Sequence, residues 1–326
     1  MKQHRIKFLA AGLAVLLLFS GCQSRTEQET EAEQVDKMFA DAESSGQDGS
    51  LQMGFVDSQE TEYPYTGDAL RIPFSIQSSG NVGLLLLVDG TLQPFAVEYP
   101  DGTVTEEAAM QVFSAGETQE KVTLVFQPVT GKQGEHLSVM AATIWEPDYL
   151  PKSENNPVFG NYHALSATIS RTIDFQADAA GSSLMSEEYE TTDIPQERLD
   201  ELAAWDSMEL LNDSIFLAID TGEDAVLRTE DGKAMVTVQL YGVPNADICV
   251  TLMVNNVPVK IDGCDGFLVH TEKNKMAEIT VPVDVSLLSG KNSVYALAAL
   301  VTEDEAMAGD NPVKSESVLL VCKEGE

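Results

Sequence analysis

Short runs in which apolar and polar residues alternate fill most of the chain beyond residue 50. In the run Leu70-Arg-Ile-Pro-Phe-Ser-Ile76, every second position from Leu70 onward is apolar. A two-residue period is typical of β-strands that bury one face. Gly, Asn, Asp and Pro residues separate the runs, as they do in the turns of antiparallel sheets. The pattern predicts an all-β protein.

The same succession of runs occurs twice along the chain. Segment 82–91 aligns with 248–257, and in both an apolar run leads into a two-residue turn, Asp89-Gly90 or Asn255-Asn256. Residues of these types tolerate the positive φ angles that such hairpin turns require. Further segments align in the same order: 70–76 with 234–240, 121–126 with 278–283, and 137–144 with 294–301. We therefore expect two copies of one module, a first β-sandwich over 51–176 and a second over 213–326.

The number and spacing of the runs resemble those of the immunoglobulin-like modules that are common on bacterial surfaces. Each copy holds about seven short strands, as an antiparallel sandwich requires; a jelly-roll or fibronectin-like topology is the alternative. Pro73 and Pro282 interrupt two of the predicted strands, and proline is tolerated mainly at sheet edges and bulges. The predicted fold is all-β, with two tandem immunoglobulin-like antiparallel β-sandwiches and these two strands at sheet edges.

Segment 177–212 joins the two copies. Its first part is small and polar, which is typical of a linker. Pro195 then precedes Leu199, Leu202 and Trp205 at helical spacing, and this order predicts a short amphipathic helix. We expect the helix to pack on a sandwich and stiffen the joint, and docking of a partner is the alternative.

The N-terminus has the layout of a secretory signal. Lys2, Arg5 and Lys7 precede an apolar run over 8–19, which is too short to span a membrane by itself. The ending Phe19-Ser20-Gly21-Cys22 resembles the lipobox of bacterial lipoproteins, although Phe19 stands where that family usually has Leu. Cleavage by an ordinary signal peptidase, which would release a soluble protein, is the alternative.

The lipobox resemblance implies that a signal peptide, residues 1–21, is removed and that Cys22 is lipidated. Two or more acyl chains make such an anchor stable. The protein is then expected at the cell membrane, lipid-anchored on the extracytoplasmic face. Segment 22–50 is acidic and rich in Gln, Ser and Thr, with few large apolar residues. Such a composition predicts a disordered tether.

Charge restricts the partners. The chain carries 53 acidic residues against 19 Lys and Arg, a formal net charge of −34. Nucleic acid is excluded as a partner, because phosphate binding depends on clustered cations, and the membrane is reached only through the lipid anchor. The surplus favours solubility, with attraction of divalent cations or a basic partner as the alternative.

No cofactor is expected, with calcium as a weak exception. Acidic residues recur in the same connection of both copies, and calcium takes about six to eight oxygen ligands. The sequence lacks the Asp-x-Asp-x-Asp-Gly loop that would make a calcium site specific. The weak candidates are Glu146, Asp148, Asp304 and Asp310.

The cysteines beyond Cys22 all lie in the second copy, at Cys249, Cys264 and Cys322. Cys249 and Cys264 stand on the two arms of the Asn255-Asn256 hairpin, close to cross-strand register. A disulfide between them is one hypothesis. Gly83 occupies the position of Cys249 in the first copy, so the fold does not require the bond, and a buried free thiol is the alternative.

Catalysis has little support, and we expect a protein that is not an enzyme. His136, His163 and His270 lie in or beside predicted strands. The sequence contains no Gly-x-Ser-x-Gly elbow, His-Glu-x-x-His helix or phosphate-binding loop.

The best binding candidate is loop 145–162, which is longer than its counterpart in the second copy. It carries four aromatic residues: Trp145, Tyr149, Phe159 and Tyr162. Long loops often carry recognition, and Trp and Tyr are favoured interface anchors; packing of the rings onto their own sandwich is the alternative. We predict a membrane-tethered binding or scaffolding lipoprotein that presents both modules to a protein partner or envelope complex. The alternative is a carbohydrate-binding accessory lipoprotein that stacks an extracellular glycan on this loop.

Overall fold

The structure is a computed structural model, and it describes residues 50–56, 62–155, 157–205, 207–222, 225–229, 233–284, 288, 290–301 and 311–322. The predicted signal peptide, Cys22 and nearly all of the tether lie outside these residues. The first copy contains β1 (Leu51–Phe55), β2 (Glu62–Tyr65), β3 (Leu70–Ser78), β4 (Val82–Val88), β5 (Thr91–Gln93), β6 (Ala96–Glu98), β7 (Met110–Phe113), β8 (Glu120–Phe126), β9 (His136–Trp145) and β10 (Leu165–Phe175).

These strands form two sheets that face each other. One sheet has the order β1-β3-β8-β6, and the other has the order β2-β10-β9-β4-β5, with β7 also pairing with β4. Strand β2 runs parallel to β10, whereas the other pairs are antiparallel. This is the strand arrangement of an immunoglobulin sandwich, with A, B, E and D in one sheet and G, F and C in the other. The predicted fold class is confirmed for the first copy.

Two linker strands, two helices and ten further strands follow. They are β11 (Met185–Ser186), β12 (Glu190–Asp193), α1 (Gln196–Ala204), α2 (Leu210–Asp213), β13 (Ile215–Asp220), β14 (Val226–Arg228), β15 (Lys233–Gly242), β16 (Asp247–Val254), β17 (Val257–Pro258), β18 (Gly266–His270), β19 (Lys275–Asp284), β20 (Lys291–Val301), β21 (Val313–Lys314) and β22 (Val318–Val321). Neither described helix is long and apolar enough to cross a membrane.

The second sandwich repeats the central strands of the first. Its sheets have the orders β12-β19-β15-β13 and β11-β18-β16-β20-β22-β14. The aligned segments of the sequence form equivalent strands in the two copies: β3 and β15, β4 and β16, β8 and β19, and β9 and β20. The two-residue turns also match, since Asp89, Gly90, Asn255 and Asn256 all have positive φ, between 47° and 74°. The predicted tandem repeat is confirmed.

The segment predicted as a linker contributes to the second sandwich. Strand β11 pairs in parallel with β18, and β12 pairs antiparallel with the first four residues of β19. Strand β12 therefore takes the place that β6 has in the first sandwich. The limits given for the two domains and the linker stay predictions, with β11 and β12 inside the segment assigned to the linker.

Each sandwich has its own apolar core, and a third apolar layer joins the two. Side chains at alternate positions of β4, β9, β16 and β20 point into their own core, while the intervening side chains point toward the other sandwich. The joining layer contains Leu85, Leu87, Met110, Met140, Ala142, Ile144, Met253, Tyr295, Leu297 and Ala299. Because both faces of these four strands are covered, nearly every residue in them is buried.

The hairpin turns of the two sandwiches reach across this layer. A Cβ atom on Gly90 would lie 2.9 Å from the carbonyl oxygen of Leu300 and 3.0 Å from that of Ala299. In the opposite direction, the Asn256 side-chain amide donates to the carbonyl oxygen of Pro147 at 3.0 Å. These close approaches hold the sandwiches in one mutual orientation.

The prediction that the proline strands lie at sheet edges is wrong for the strands as wholes. Strands β3 and β19 each have a neighbour on both sides. Each proline nevertheless lies past the end of the pairing with one neighbouring strand. The pairing of β1 with β3 ends at Phe74, before Pro73, and the pairing of β12 with β19 ends at Glu278, before Pro282. The missing proline N–H therefore costs no ladder hydrogen bond on that side.

The proposed disulfide is also wrong, since Cys249 and Cys264 are both free thiols. Strand β16 places Cys249 opposite Leu268 rather than Cys264. The Cys249 side chain turns toward the first sandwich, where its sulfur lies 3.7 Å from Thr91 Oγ1. Burial raises the pKa of the Cys249 thiol to about 11, so this side chain behaves as a small apolar group in the joining layer.

Candidate binding surfaces at the sandwich junction and the helical corner

The aromatic loop closes onto the junction between the sandwiches. The rings of Tyr149 and Tyr162 stack with centroids 4.1 Å apart, and Phe159 meets Tyr149 edge-on at 6.2 Å. Phe159 also contacts His163 at 4.8 Å, and His163 in turn faces Tyr295 of the second sandwich at 6.3 Å. Tyr149, Phe159 and Tyr162 thus form one cluster. Through His163 this cluster packs against the second sandwich and not only against the first.

Polar contacts fix the same loop to the second sandwich. The Lys291 ammonium donates to the backbone carbonyls of Pro151 and Lys152, and Glu154 lies 4.0 Å from the same ammonium. Asn256 donates to the Pro147 carbonyl of the loop at 3.0 Å, and within the second sandwich it accepts the Tyr295 hydroxyl proton at 3.1 Å. The extra length of this loop in the first copy therefore provides a clasp between the modules.

Trp145 lies apart from the other three rings. It ends β9, where it pairs with Val82, and its indole packs on the first core. A Cβ atom on Gly80 would lie 2.4 Å from the Trp145 ring, so the glycine leaves room for the indole. The structure does not bring Trp145 into one site with Tyr149, Phe159 and Tyr162.

The weak calcium candidates of the first copy are engaged in other contacts. The Glu146 carboxylate accepts hydrogen bonds from the Asn81 backbone at 2.9 Å and from its side chain at 3.2 Å. Asp148 accepts from Asn256 at 3.3 Å. Asp304 and Asp310 lie outside the described residues. Within the described part of the chain, no group of three or more metal-ligating side chains could hold an ion.

A cleft of about 530 Å³ opens beside the clasp, between the end of the aromatic loop and the segment that joins β21 to β22. We call it the junction cleft. Its walls are largely apolar on the side of the first sandwich and polar on the side of the second. It is lined by Pro157, Val158, Phe159, Gly160, Tyr162, His163, Ala164, Leu165, Lys314, Ser315, Glu316 and Ser317.

Lys314, Ser317 and His163 form a hydrogen-bonded chain in the wall of the junction cleft. The Lys314 ammonium, which can only donate, gives one proton to Ser317 Oγ at 2.9 Å and another to the Ser315 carbonyl. Ser317 Oγ lies 3.1 Å from His163 Nδ1. Ser317 therefore links the ammonium to the imidazole, and the direction of its hydrogen bond with Nδ1 is set by the histidine tautomer.

Burial perturbs the acid–base behaviour of both nitrogen groups. Loss of solvent lowers the pKa of Lys314 to about 7, with Glu316 acting in the opposite direction. Loss of solvent and the Lys314 charge lower the pKa of His163 to about 4, against the Tyr149 carbonyl. His163 is 2% exposed, has a positive φ of 61°, and its Nε2 has no hydrogen-bond partner among the described residues. The imidazole is therefore neutral at pH 7.

A second groove of about 510 Å³ continues from the junction cleft along the second sandwich, sharing Pro157, Glu316 and Ser317 with it. Strand β13 and the start of β22 form its apolar walls. The rings of Phe216 and Tyr241 stack there at 4.9 Å. No local sequence pattern indicates this continuous surface, because residues near 157, 198, 216–225, 239–241 and 316–319 come together only in the folded chain.

The two helices form an apolar corner on the surface of the second sandwich. Leu199 and Leu211 pack inward against a small cluster of Ile194, Tyr241 and Met276. The opposite side projects into solvent: Trp205 is 81% exposed, Met208 43% and Leu210 41%. We call these three residues the helical corner. The predicted helix is therefore present and packs on a sandwich, but its tryptophan points away.

Acidic side chains surround the helical corner. Those exposed on or beside the two helices are Glu197, Asp200, Glu201, Glu209 and Asp213. The one basic residue of α1, Arg198, lies 3.1 Å from Glu201 and is paired with it. A partner suited to this surface would offer an apolar pocket with a basic rim.

The other two histidines lie away from both clefts, on exposed strand ends. His270 contacts Asp247 at 2.8 Å, and His136 lies 3.6 Å from Glu62. The His270–Asp247 pair joins the neighbouring strands β18 and β16, whereas the His136–Glu62 pair reaches from β9 across β10 to β2.

No known family pattern matches the sequence, and no curated protein sequence is similar enough to count as a relative. Solved structures with some likeness include the fibronectin(III)-like modules of Clostridium thermocellum CbhA, at 10% identity and a TM-score of 0.19, covering 84% of this chain and 94% of that chain. The chaperone–tip adhesion subunit complex of Acinetobacter baumannii Csu pili has 12% identity and a TM-score of 0.20, covering 84% and 100%. Likenesses at these values do not indicate a function.

Proposed function

We propose that this protein is an exported, membrane-tethered lipoprotein without catalytic activity, which presents a rigid pair of β-sandwiches to a protein partner outside the cytoplasm. The observation that carries the proposal is the exposed helical corner. A tryptophan that is 81% exposed, next to two further exposed apolar side chains, is costly in water unless another surface covers it. Trp is also the residue type most enriched at interaction hot spots.

The fixed geometry of the body supports this role. The joining layer and the clasp set the position of the second sandwich relative to the first, so a partner bound at the helical corner is held in a defined orientation. The acidic segment between Cys22 and β1 would carry this body away from the membrane. Charge complementarity favours a partner with Lys and Arg around its pocket.

Carbohydrate binding by the aromatic loop has less support. The faces of Tyr149 and Tyr162 cover each other, and Phe159 is 8% exposed. The two ring faces that meet in this stack are closed to a sugar ring.

The docking surface is testable by photo-crosslinking in the producing cells. With a photoreactive amino acid in place of Trp205, we expect a discrete adduct with one envelope protein, and the yield should fall as salt is raised because basic and acidic rims attract. The same amino acid in place of Met235, which is 57% exposed on β15, is the matched control. Equal adduct yields at positions 205 and 235 would contradict the proposal. So would a yield at position 205 that stays the same when Glu201 and Glu209, which flank Trp205, are both replaced by Lys.

The anchor is tested separately. In the Cys22→Ser variant we expect loss of metabolically incorporated fatty acid and failure of the protein to be processed at the lipobox. Labelling with radioactive palmitate and membrane fractionation measure both. The Cys264→Ser variant, which removes another thiol that is free, should keep the label. Retention of the label by Cys22→Ser would exclude anchoring through this residue.

A further inference from the structure

We propose that the junction cleft is a binding site for a small organic acid, whose carboxylate is held by Lys314 and Ser317 and whose apolar body lies against Phe159 and Leu165. This site is separate from the helical corner, so its failure or success leaves the protein-docking proposal untouched. The argument rests on the shape of the cleft, on the kind of polar groups that converge in it, and on the charge of the rest of the molecule.

The cleft has the size and the division of surface that small-ligand sites show. A volume of about 530 Å³ falls within the roughly 300–1,000 Å³ typical of such sites, which combine apolar walls with a few convergent polar groups. Val158, Phe159 and Leu165 supply the apolar side, and the second sandwich supplies the polar side. A ligand with one polar end and an apolar body matches this division.

The polar groups that converge on the cleft are mainly donors. Protonated Lys314 carries a positive charge and three N–H donors. The Ser317 hydroxyl adds a further donor group and lies 2.9 Å from the ammonium and 3.1 Å from the His163 imidazole. Donors and a positive charge select an anion, and a carboxylate accepts several such hydrogen bonds at once.

The charge balance of the chain makes this cation unusual. With 53 acidic residues against 19 Lys and Arg, a basic side chain can readily find a carboxylate partner. Lys260 and Lys275 each have one at 2.8 Å. Among the described residues no carboxylate lies within salt-bridge distance of Lys314, although its ammonium is largely withdrawn from solvent. It is instead held by a carbonyl, a hydroxyl and the Tyr295 ring, 4.5 Å from its centroid.

A bound carboxylate would place a counter-charge beside the ammonium. Of the residues that the structure describes, the titratable groups that face Lys314 are Glu316 on its own segment, His163 and Tyr162 from the first sandwich, and Tyr295 from β20. Glu316 is exposed, and His163 is neutral above pH 4. A carboxylate beside the ammonium favours its charged form, so binding and protonation of Lys314 are linked.

The test uses 3-phenylpropionate as the probe and neutral 3-phenyl-1-propanol as its matched comparator, with isothermal titration calorimetry on the soluble chain from residue 23. We expect the acid to bind and the alcohol to bind at least about tenfold more weakly, because a hydrogen bond to a charged group is lost. Lys314→Met should weaken binding of the acid by a similar factor, whereas Lys152→Met, which removes an exposed charge of the neighbouring loop, should leave it unchanged.

Proton linkage gives a readout that does not depend on any variant. Lys314 has a pKa of about 7 in the free protein, so part of the population must take up a proton when the carboxylate binds at pH 7.5. Titrations in two buffers of different ionisation enthalpy should show net uptake, and affinity should fall by up to about tenfold per pH unit above pH 7. Equal binding of acid and alcohol, no proton uptake, or equal losses in Lys314→Met and Lys152→Met would overturn the proposal.

Discussion

Leu85→Asp should lower the free energy of unfolding by about 4 kcal/mol, because it places an unpaired carboxylate in a layer that excludes water. Leu85 is 0% exposed and belongs to the joining layer rather than to the core of the first sandwich. Urea unfolding followed by far-ultraviolet circular dichroism measures the change. The variant therefore tests whether the two sandwiches are one folded unit.

Val112→Asp is the matched control for this experiment. Val112 lies on β7, in the strand that pairs with the β4 segment containing Leu85, but it is 45% exposed. The same new charge at position 112 should lower the free energy of unfolding by about 1 kcal/mol or less. If Leu85→Asp were as mild as Val112→Asp, the layer would be accessible to water and the sandwiches would be independent modules.

Gly90→Ala should lower the free energy of unfolding by about 3 kcal/mol, which is the second large effect. The residue has a φ of 74°, which alone costs a residue with a Cβ atom about 1 kcal/mol or more. The new Cβ would also lie 2.9 Å and 3.0 Å from the carbonyl oxygens of Leu300 and Ala299. Both are backbone atoms of a buried strand, so the junction has to shift to accept the methyl group.

Gly102→Ala separates the two contributions. Gly102 has a similar φ of 86°, but a Cβ atom there would meet nothing within 4 Å. Gly102→Ala should therefore lower the free energy of unfolding by about 1 kcal/mol, measured by the same urea titration, and this fall reflects the backbone conformation alone. The difference between the two variants reports the close approach of the sandwiches, and equal losses would show that no such approach exists in solution.

The strands and the repeat were predictable from sequence because they depend on local pattern. Strands β8 and β19 alternate cleanly, since each lies in a sheet whose outer face is open to solvent. The turns at Asp89-Gly90 and Asn255-Asn256 were equally visible, because few residue types accept positive φ. These features fix the fold class without reference to distant contacts.

The packing of one sandwich on the other was missed, although a signal for it was present. Segment 84–87 is an unbroken run of four leucines, and the segments that form β16 and β20 also lack alternation. Strands that are covered on both faces have such continuous apolar runs. Strand pattern and turn residues alone predict ordinary sandwich strands here, and two modules that are connected by a linker.

The aromatic loop shows what local pattern alone leaves open. Its length and its rings were correctly singled out, but their surroundings depend on the second sandwich, more than 90 residues away. Tyr295, Asn256 and Lys291 turn the loop into a clasp. The junction cleft was missed for the same reason, because Lys314 and Ser317 meet His163 only through the packing of the two modules.

The entry of β11 and β12 into the second sandwich changes how the chain can be divided. A fragment that began at residue 213 would lack both strands, and β19 and β18 would be left with uncovered backbone donors and acceptors along one side. Exposed strand edges of this kind can pair with strands of other molecules and cause aggregation. Any recombinant form of the C-terminal half should therefore start before Ser183, where the linker segment first hydrogen-bonds to the second sandwich.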